Sequence, residues 1–207
     1  MGARVCVIKT GSANLASVVA ALRRLGAEPE VTTEPGVVRA ADRVVLPGVG
    51  AFGAAMGQLE GLGMGEPIRA HVCEEKPFLA ICLGLQLLCD ESEESPGVRG
   101  LSVIEGKIKR FAEGLIVPQL GWNLVEPGDG CALLQAGHAY YANSYRLEAL
   151  PEGWRGATSV HGASFVAAIE KGPMLACQFH PELSGRWGRE LLERWLAAPG
   201  ARGGGSC

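Results

Sequence analysis

Residues 78–89 read Phe78-Leu79-Ala80-Ile81-Cys82-Leu83-Gly84-Leu85-Gln86-Leu87-Leu88-Cys89. The unbroken apolar run over 78–81 predicts a strand covered on both faces, and the pattern of 83–89 predicts an apolar helix directly after it. Cys82 stands at the junction, with small Ala80 two before it and Gly84 two after. A sharp strand-to-helix turn requires small residues there, because bulk would clash. Such an elbow holds a side chain above the carboxyl edge of a parallel sheet. It also sets the sulfur at a helix N-terminus, where peptide dipoles and unpaired N–H groups favour thiolate. The competing reading is a buried core cysteine, the common fate of a Cys in an apolar run.

Working outward, the first half alternates β-rich runs with helical patterns. Val5-Cys6-Val7-Ile8 predicts a strand. Leu15, Val18, Leu22 and Leu25 predict a helix, closed by Gly26 at the position after its C-cap. Residues 31–33 predict a weak strand, and 43–46 a stronger one running into Pro47-Gly48. Phe52, Met56, Leu59 and Leu62 predict a second helix, and Pro67 opens another as its first residue. In the second half, residues 101–111 and 138–147 read as longer strands, and 156–179 as two or three more with Gly turns. A last helix carries Trp187, Leu191, Leu192, Trp195 and Leu196 on one face, with Ser184 as its expected cap. The expected fold is therefore α/β: a mostly parallel sheet with helices on both faces, and added antiparallel strands in the second half. Residues 1–199 are expected to form one domain and 200–207 a disordered tail.

Composition limits the function classes. The 207 residues are 47% apolar and 20% charged, with a net charge of −3. That apolar fraction excludes intrinsic disorder. The acidic balance argues against nucleic acid as a partner. No run of 18 apolar residues suggests a membrane span, and residues 1–9 lack a signal-peptide pattern, so a cytoplasmic location is expected. Cysteines at 6, 73, 82, 89, 131, 177 and 207 show no zinc spacing, and most are expected to be reduced core thiols. No metal and no cofactor are expected. His71 and His138 lack ligand partners at metal spacing and are read as structural. Lys107, Lys109 and Arg110 alternate with Ile108 as the solvated face of a strand.

Two further segments carry chemistry. Gln178-Phe179-His180-Pro181-Glu182 ends a β run. A cysteine nucleophile requires a base, and the base requires a group that fixes its tautomer. The proline between His180 and Glu182 restricts the backbone so that the carboxylate can reach imidazole Nδ1. Leu46-Pro47-Gly48-Val49-Gly50 follows a strand, and its glycines allow backbone N–H groups to approach a ligand. Alone it is a tight turn. Beside an elbow, Val49 and Gly50 can form one half of an oxyanion hole, with Leu83 as the other half.

These segments resemble the class I (triad) glutamine amidotransferases over about residues 4–198. The resemblance rests on residues 10–15 (TGSANL), 46–50 (LPGVG), 81–88 (ICLGLQLL), 91–97 (ESEESPG) and 178–182 (QFHPE). With Gly121-Trp122-Asn123, it narrows to glutaminase subunits that serve a (β/α)₈-barrel cyclase of histidine biosynthesis, whose products are imidazole glycerol phosphate and AICAR. It implies a flavodoxin-like sheet, L-glutamine as substrate, a heterodimer with the cyclase and direct delivery of ammonia. By the same resemblance Cys82, His180 and Glu182 are the triad. Gln86, Glu94 and the backbone near Gly50 and Ser144 would hold the amino-acid part of glutamine. Asn14, Trp122, Asn143 and Leu183 would face the partner. The chain departs from the family at Asn143, where His precedes Ser/Thr-Tyr, at Leu183, where Lys or Arg follows HPE, and at Lys9, where Asp is common. Three rival readings stand beside this one: a paralogous glutaminase serving another synthase, a degenerate regulatory subunit, and a cysteine peptidase of similar fold. The last leaves Gln86, Glu94 and the PGVG turn unexplained.

Overall fold

The computed structural model describes residues 2–10 and 14–200. Expectations for residues 11–13 of the TGSANL segment and for the tail beyond 200 lie outside the described residues. In chain order the elements are β1 (Arg4–Ile8), α1 (Leu15–Arg24), β2 (Glu28–Thr32), α2 (Pro35–Ala40), β3 (Val44–Gly48), α3 (Phe52–Gly61), α4 (Gly65–Cys73), β4 (Phe78–Cys82) and α5 (Leu83–Leu88). There follow β5 (Glu91–Ser92), β6 (Lys107–Arg110), β7 (Gln119–Pro127), β8 (Gly137–Asn143), β9 (Tyr145–Leu147), β10 (Arg155–His161), β11 (Ala163–Lys171) and β12 (Met174–Cys177). A 3₁₀ turn (Pro181–Leu183) and α6 (Gly185–Ala197) complete the chain.

The strand order is β2-β1-β3-β4-β12-β11-β10-β7-β8. The first five are parallel, in the flavodoxin-like order, and β11, β10, β7 and β8 continue antiparallel. Alternation along β1, β3, β4 and β12 explains their apolar sequences, whereas edge strand β2 is polar and largely exposed. Val5, Val7, Leu79 and Ile81 point to one face, against Val18 and Leu22 of α1 and Leu191 and Trp195 of α6. Cys6, Ile8, Leu46 and Ala80 point to the other, against Val38, Met56, Leu59, Ile68 and Leu85 of α2 to α5. Both faces are dry, so neither face of these strands can be polar. Helix α1 ends as expected: Gly26 takes φ +77°, and the Ala27 N–H donates to Leu22 O at 3.1 Å.

Several elements differ from the sequence-based expectation. Residues 35–40 form α2, whose single buried side chain, Val38, is too little for a periodic signal. Helix α4 starts at Gly65, so Pro67 is its third residue. Of residues 101–111 only 107–110 are strand, and 138–147 breaks at Ser144 into β8 and β9. Strand β7 was not anticipated, because its alternation is inverted. Gln119 and Val125 are buried while Leu120, Trp122 and Leu124 face outward. Ser184 does not cap α6; its Oγ donates to His180 O (2.6 Å) and accepts from the Tyr140 N–H (2.9 Å).

Cys6, Cys82, Cys89, Cys131 and Cys177 are free thiols. His71 is buried; its Nε2–H donates to Pro77 O at 3.2 Å, and burial holds its pKa down to about 4. Ile108 is buried between half-exposed or exposed Lys107, Lys109 and Arg110.

Strands β3, β4 and β12 are adjacent and parallel. Their carboxyl ends therefore bring the 48–50 turn, Cys82 and the 178–182 segment to one edge of the sheet. The closest approach is at Gly84, where a Cβ would fall 2.0 Å from Leu46 O. Gly84→Ala is expected to lower the thermal midpoint by an amount reflecting about 1–3 kcal/mol of overpacking. Gly57→Ala, on an exposed helical site with nothing within 4 Å, is expected to raise it slightly, by about 0.5–1 kcal/mol. Circular dichroism melts of both variants check the pair; an unchanged Gly84→Ala midpoint would show that β3 and α5 are not locked together.

Candidate active site

Cys82 ends β4 with φ +54° and ψ −110°. A non-glycine residue in this region costs about 1–3 kcal/mol and persists only where its surroundings over-determine it. Here they do. Gly84 abuts the Leu46 carbonyl, and a Cβ on Gly48 would lie 2.9 Å from both Gly84 N and Leu83 Cβ. Strands β3 and β4 and the start of α5 thus hold the elbow from both sides. Gly50 takes φ +100°, a conformation that favours glycine, and turns the chain after β3. Thr10 ties the end of β1 to this turn through Oγ1, which donates to Pro47 O at 2.9 Å.

His180 leaves the end of β12 across from Cys82. Its backbone N–H donates to Tyr140 O (2.9 Å), and Ser184 holds its carbonyl. Its Nδ1 lies 2.9 Å from Glu182 Oε1, with the two side chains 7% and 1% exposed. The other Glu182 oxygen has no hydrogen-bond partner, so the carboxylate is directed at the imidazole alone. Burial by itself would lower the His180 pKa. Hydrogen bonds to Cys82 and Glu182, with their charges, outweigh it and raise the value to about 10. The imidazole is thus positioned as a proton donor beside the sulfur.

A pocket of about 250 Å³ opens over this group, lined by Val49, Gly50, Cys82, Leu83, Gln86, Glu94, Ala142, Asn143, Ser144, Tyr145 and His180. The structure thus brings every expected oxyanion-hole and substrate-binding residue into one cavity, with Glu182 behind His180. Gln86 Nε2 donates to Tyr145 O (3.3 Å) and to Gln178 Oε1 (3.0 Å). Glu94 has a structural duty as well: its Oε2 accepts the Phe52 N–H at 2.7 Å, and Ser95 Oγ accepts the Gly53 N–H at 3.0 Å. The 91–97 segment therefore closes the N-terminus of α3, directly after the 48–50 turn. Ser144 sits at the break between β8 and β9, which curves the chain over the cavity.

Of the positions expected to face a partner, Asn14, Trp122 and Leu183 are exposed. Asn143 is not: at 4% exposure it donates to Tyr145 O (3.0 Å) and accepts from Gln119 Nε2 (3.4 Å). It braces the β8–β9 break from inside, because it shares the inward side of β8 with Ala139 and Tyr141. Gln178 was missed by the sequence reading, although it is fully buried and its Nε2 lies 3.6 Å from Cys82 Sγ. The strand pairing explains its place: β12 pairs with β4 with Cys177 opposite Ile81, so the next residue falls level with Cys82.

The sequence profile of "Glutamine amidotransferase class-I" proteins matches residues 6–198. The chain belongs to the class I glutamine amidotransferases. It is 43% identical over 195 residues to the imidazole glycerol phosphate synthase subunit HisH of Methanothermobacter thermautotrophicus, covering 93% of this chain and 97% of that protein. It is 40% identical over 198 residues to the subunit of the same name from Symbiobacterium thermophilum, covering 93% of each. In Arabidopsis thaliana it matches 34% of a longer chloroplastic imidazole glycerol phosphate synthase, hisHF, at 41% identity, across 93% of this chain. Among solved structures, a glutamine amidotransferase superposes with a TM-score of 0.74 at 22% identity, covering 92% of this chain and 96% of that one. That amidotransferase shares the overall fold.

Two predictions follow from this geometry. Burial pushes the Cys89 and Cys177 thiols up, and that of Cys6 to about 11. A glutamine-mimicking diazo-oxo-norleucine is expected to label Cys82, which lines the pocket, and peptide mapping that finds it on another cysteine would overturn the assignment. A raised histidine contributes stability that is whole below its unfolded pKa of 6.5 and is lost as pH rises toward about 10. In Glu182→Gln that loss is expected to be smaller, because the charge that helps hold the imidazolium is gone. Urea unfolding from pH 6.5 to 10 measures it; parallel profiles in both proteins would show that Glu182 does not act on His180.

Proposed function

We propose that the chain is the glutaminase subunit of an imidazole glycerol phosphate synthase. In this reading it hydrolyses L-glutamine to glutamate and ammonia and passes the ammonia to a (β/α)₈-barrel cyclase of histidine biosynthesis. The observation that carries the reading is the convergence of the Cys82 elbow, the His180–Glu182 pair and the 48–50 turn on one small pocket. The electrostatics support it: His180, its pKa raised despite burial by its hydrogen bonds to Cys82 and Glu182, lines the cavity together with Cys82.

Cys82 thiolate attacks the carboxamide carbon, and the carbonyl π electrons move onto oxygen. That oxyanion is held by backbone N–H groups of Leu83 and of the 48–50 turn; one well-placed donor contributes about 10²–10³ in rate. His180 gives its proton to the nitrogen as the C–N bond breaks, releasing ammonia and leaving a γ-glutamyl thioester. Neutral His180 then takes a proton from water, whose oxygen attacks the thioester, and glutamate leaves as the thiolate is restored. Gln86, Glu94 and Ser144 ring the pocket where the ammonium and carboxylate of the substrate would lie.

The outward stripe of Leu120, Trp122 and Leu124 supports a docked partner. Trp122 stands edge-on to Tyr140 at 6.1 Å and reaches over Gly185, beside the turn that carries Leu183. The cyclase would cover this face and the mouth of the pocket, so that ammonia never enters bulk water, where it is protonated and unreactive. With this partner the products would be imidazole glycerol phosphate and AICAR, and the compartment the cytoplasm.

The isolated chain is expected to hydrolyse glutamine slowly and to accelerate on addition of the barrel with its nucleotide ligand, as measured by steady-state glutamate release. Full activity in the isolated chain would exclude gating by the partner. His180→Asn is expected to abolish glutamine-dependent turnover and to spare turnover with ammonium salts; loss of both would make the residue structural. Leu183→Lys is expected to steepen the salt dependence of association, because an aliphatic side chain makes no charged contact. Titration calorimetry at two ionic strengths checks this, and an unchanged slope would place Leu183 outside the interface.

A further inference from the structure

Behind the nucleophile lies a chain of carboxamides whose orientation has only one solution. The Tyr145 carbonyl can only accept, so the Gln86 group facing it (3.3 Å) must be the NH₂. That same NH₂ lies 3.0 Å from the Gln178 side chain, which must therefore present its oxygen. The Gln178 NH₂ is left pointing at Cys82 Sγ, 3.6 Å away. An NH₂ donates and cannot accept, so it stabilises a sulfur that has lost its proton more than one that must itself donate. Gln178 cannot turn away. It is 0% exposed, and its backbone N–H is fixed to Ala167 O at 2.8 Å.

The sulfur has need of such a donor. Helix α5 is six residues long, so its macrodipole is small. His180 donates to the free thiolate as well, but it is also the group that carries the proton of the reaction. Gln178 titrates nowhere and keeps its N–H throughout.

We propose that Gln178 is a fixed hydrogen-bond donor to Cys82 that sustains the thiolate, and that Gln86 sets its orientation from the pocket wall. The inference rests on Cys82 being the nucleophile, as proposed above, and adds a group acting directly on its sulfur. No atom is transferred to or from Gln178. It also links the substrate-lining Gln86 to the nucleophile through one intervening amide, so disturbing Gln86 is expected to register at the sulfur.

The test is the pH dependence of Cys82 alkylation by iodoacetamide in the full chain, read by peptide mapping, for wild type, Gln178→Leu and Gln178→Glu. Gln178→Met, unbranched and of similar volume, substitutes for Gln178→Leu if circular dichroism shows the latter unfolded. A donor to a charged acceptor is among the stronger protein hydrogen bonds. Its loss is expected to move the alkylation midpoint alkaline by about one pH unit, or about tenfold lower reactivity at pH 7. The rate should recover toward the wild-type plateau at high pH. Gln178→Glu, which replaces the donor with an acceptor, is expected to shift further. A merely structural role would lower the melting temperature and leave the midpoint in place, so a folded variant with the wild-type midpoint overturns the proposal. Failure of the underlying reading looks different: Cys82 would be unreactive in wild type, or Cys82→Ser would keep its glutaminase activity.

Discussion

At Gly84 the first turn of α5 lies against the Leu46 carbonyl so closely that a methyl group would sit 2.0 Å from the oxygen. This backbone-to-backbone contact is the constraint on which the cavity depends. It draws the start of α5 onto the end of β3 and, with Gly48, leaves Cys82 nowhere to relax from its positive φ. The strain is of order 1–3 kcal/mol. A sheet buried on both faces by large apolar clusters can hold it, because each fully buried Leu or Ile side chain contributes about 1.5–3 kcal/mol. The rigid layer below thus sustains an unfavourable conformation exactly one residue long at its edge.

Around that residue the polar groups hold one another, with one Glu182 oxygen left without a hydrogen-bond partner. His180 is held by its backbone at Tyr140 and Ser184 and by its ring at Glu182. Gln86 and Gln178 are held from the Tyr145 carbonyl. Each is buried or nearly so, where an unpaired polar group costs about 1–3 kcal/mol. The arrangement therefore has few low-energy alternatives, and the pocket is largely built before any ligand enters. The same loops also close helix ends: Glu94 and Ser95 satisfy the first N–H groups of α3, so the wall of the pocket and the start of a core helix are one structure.

Strand β7 obeys the opposite rule from β4. Its polar residues Gln119 and Asn123 are bonded to each other (3.0 Å), and Asn123 also reaches Val160 O at 2.9 Å. Its leucines and tryptophan face out. An apolar stripe on the surface is unfavourable for an isolated chain and favourable for one that is covered, which is why this strand carries the partner in the function proposed here.

The sequence by itself determined three of the five parallel strands, since strands buried on both faces must be apolar throughout, as 5–8, 44–46 and 78–81 are. It also marked the elbow, because only small residues at 80 and 84 permit it. The proximity of His180 and Glu182 was readable for the same reason: they are two residues apart with a proline between them. Other features were legible only in three dimensions. Helix α2 buries one side chain, and β7 inverts its pattern, so local periodicity carries neither. The burial of Asn143 and the place of Gln178 behind Cys82 depend on which strands lie side by side. Strand order is set by the summed packing of both faces and by the handedness of the crossovers, and these are properties of residues far apart in the chain. Local sequence could therefore name the chemical groups, while tertiary structure alone decided which of them touch the sulfur.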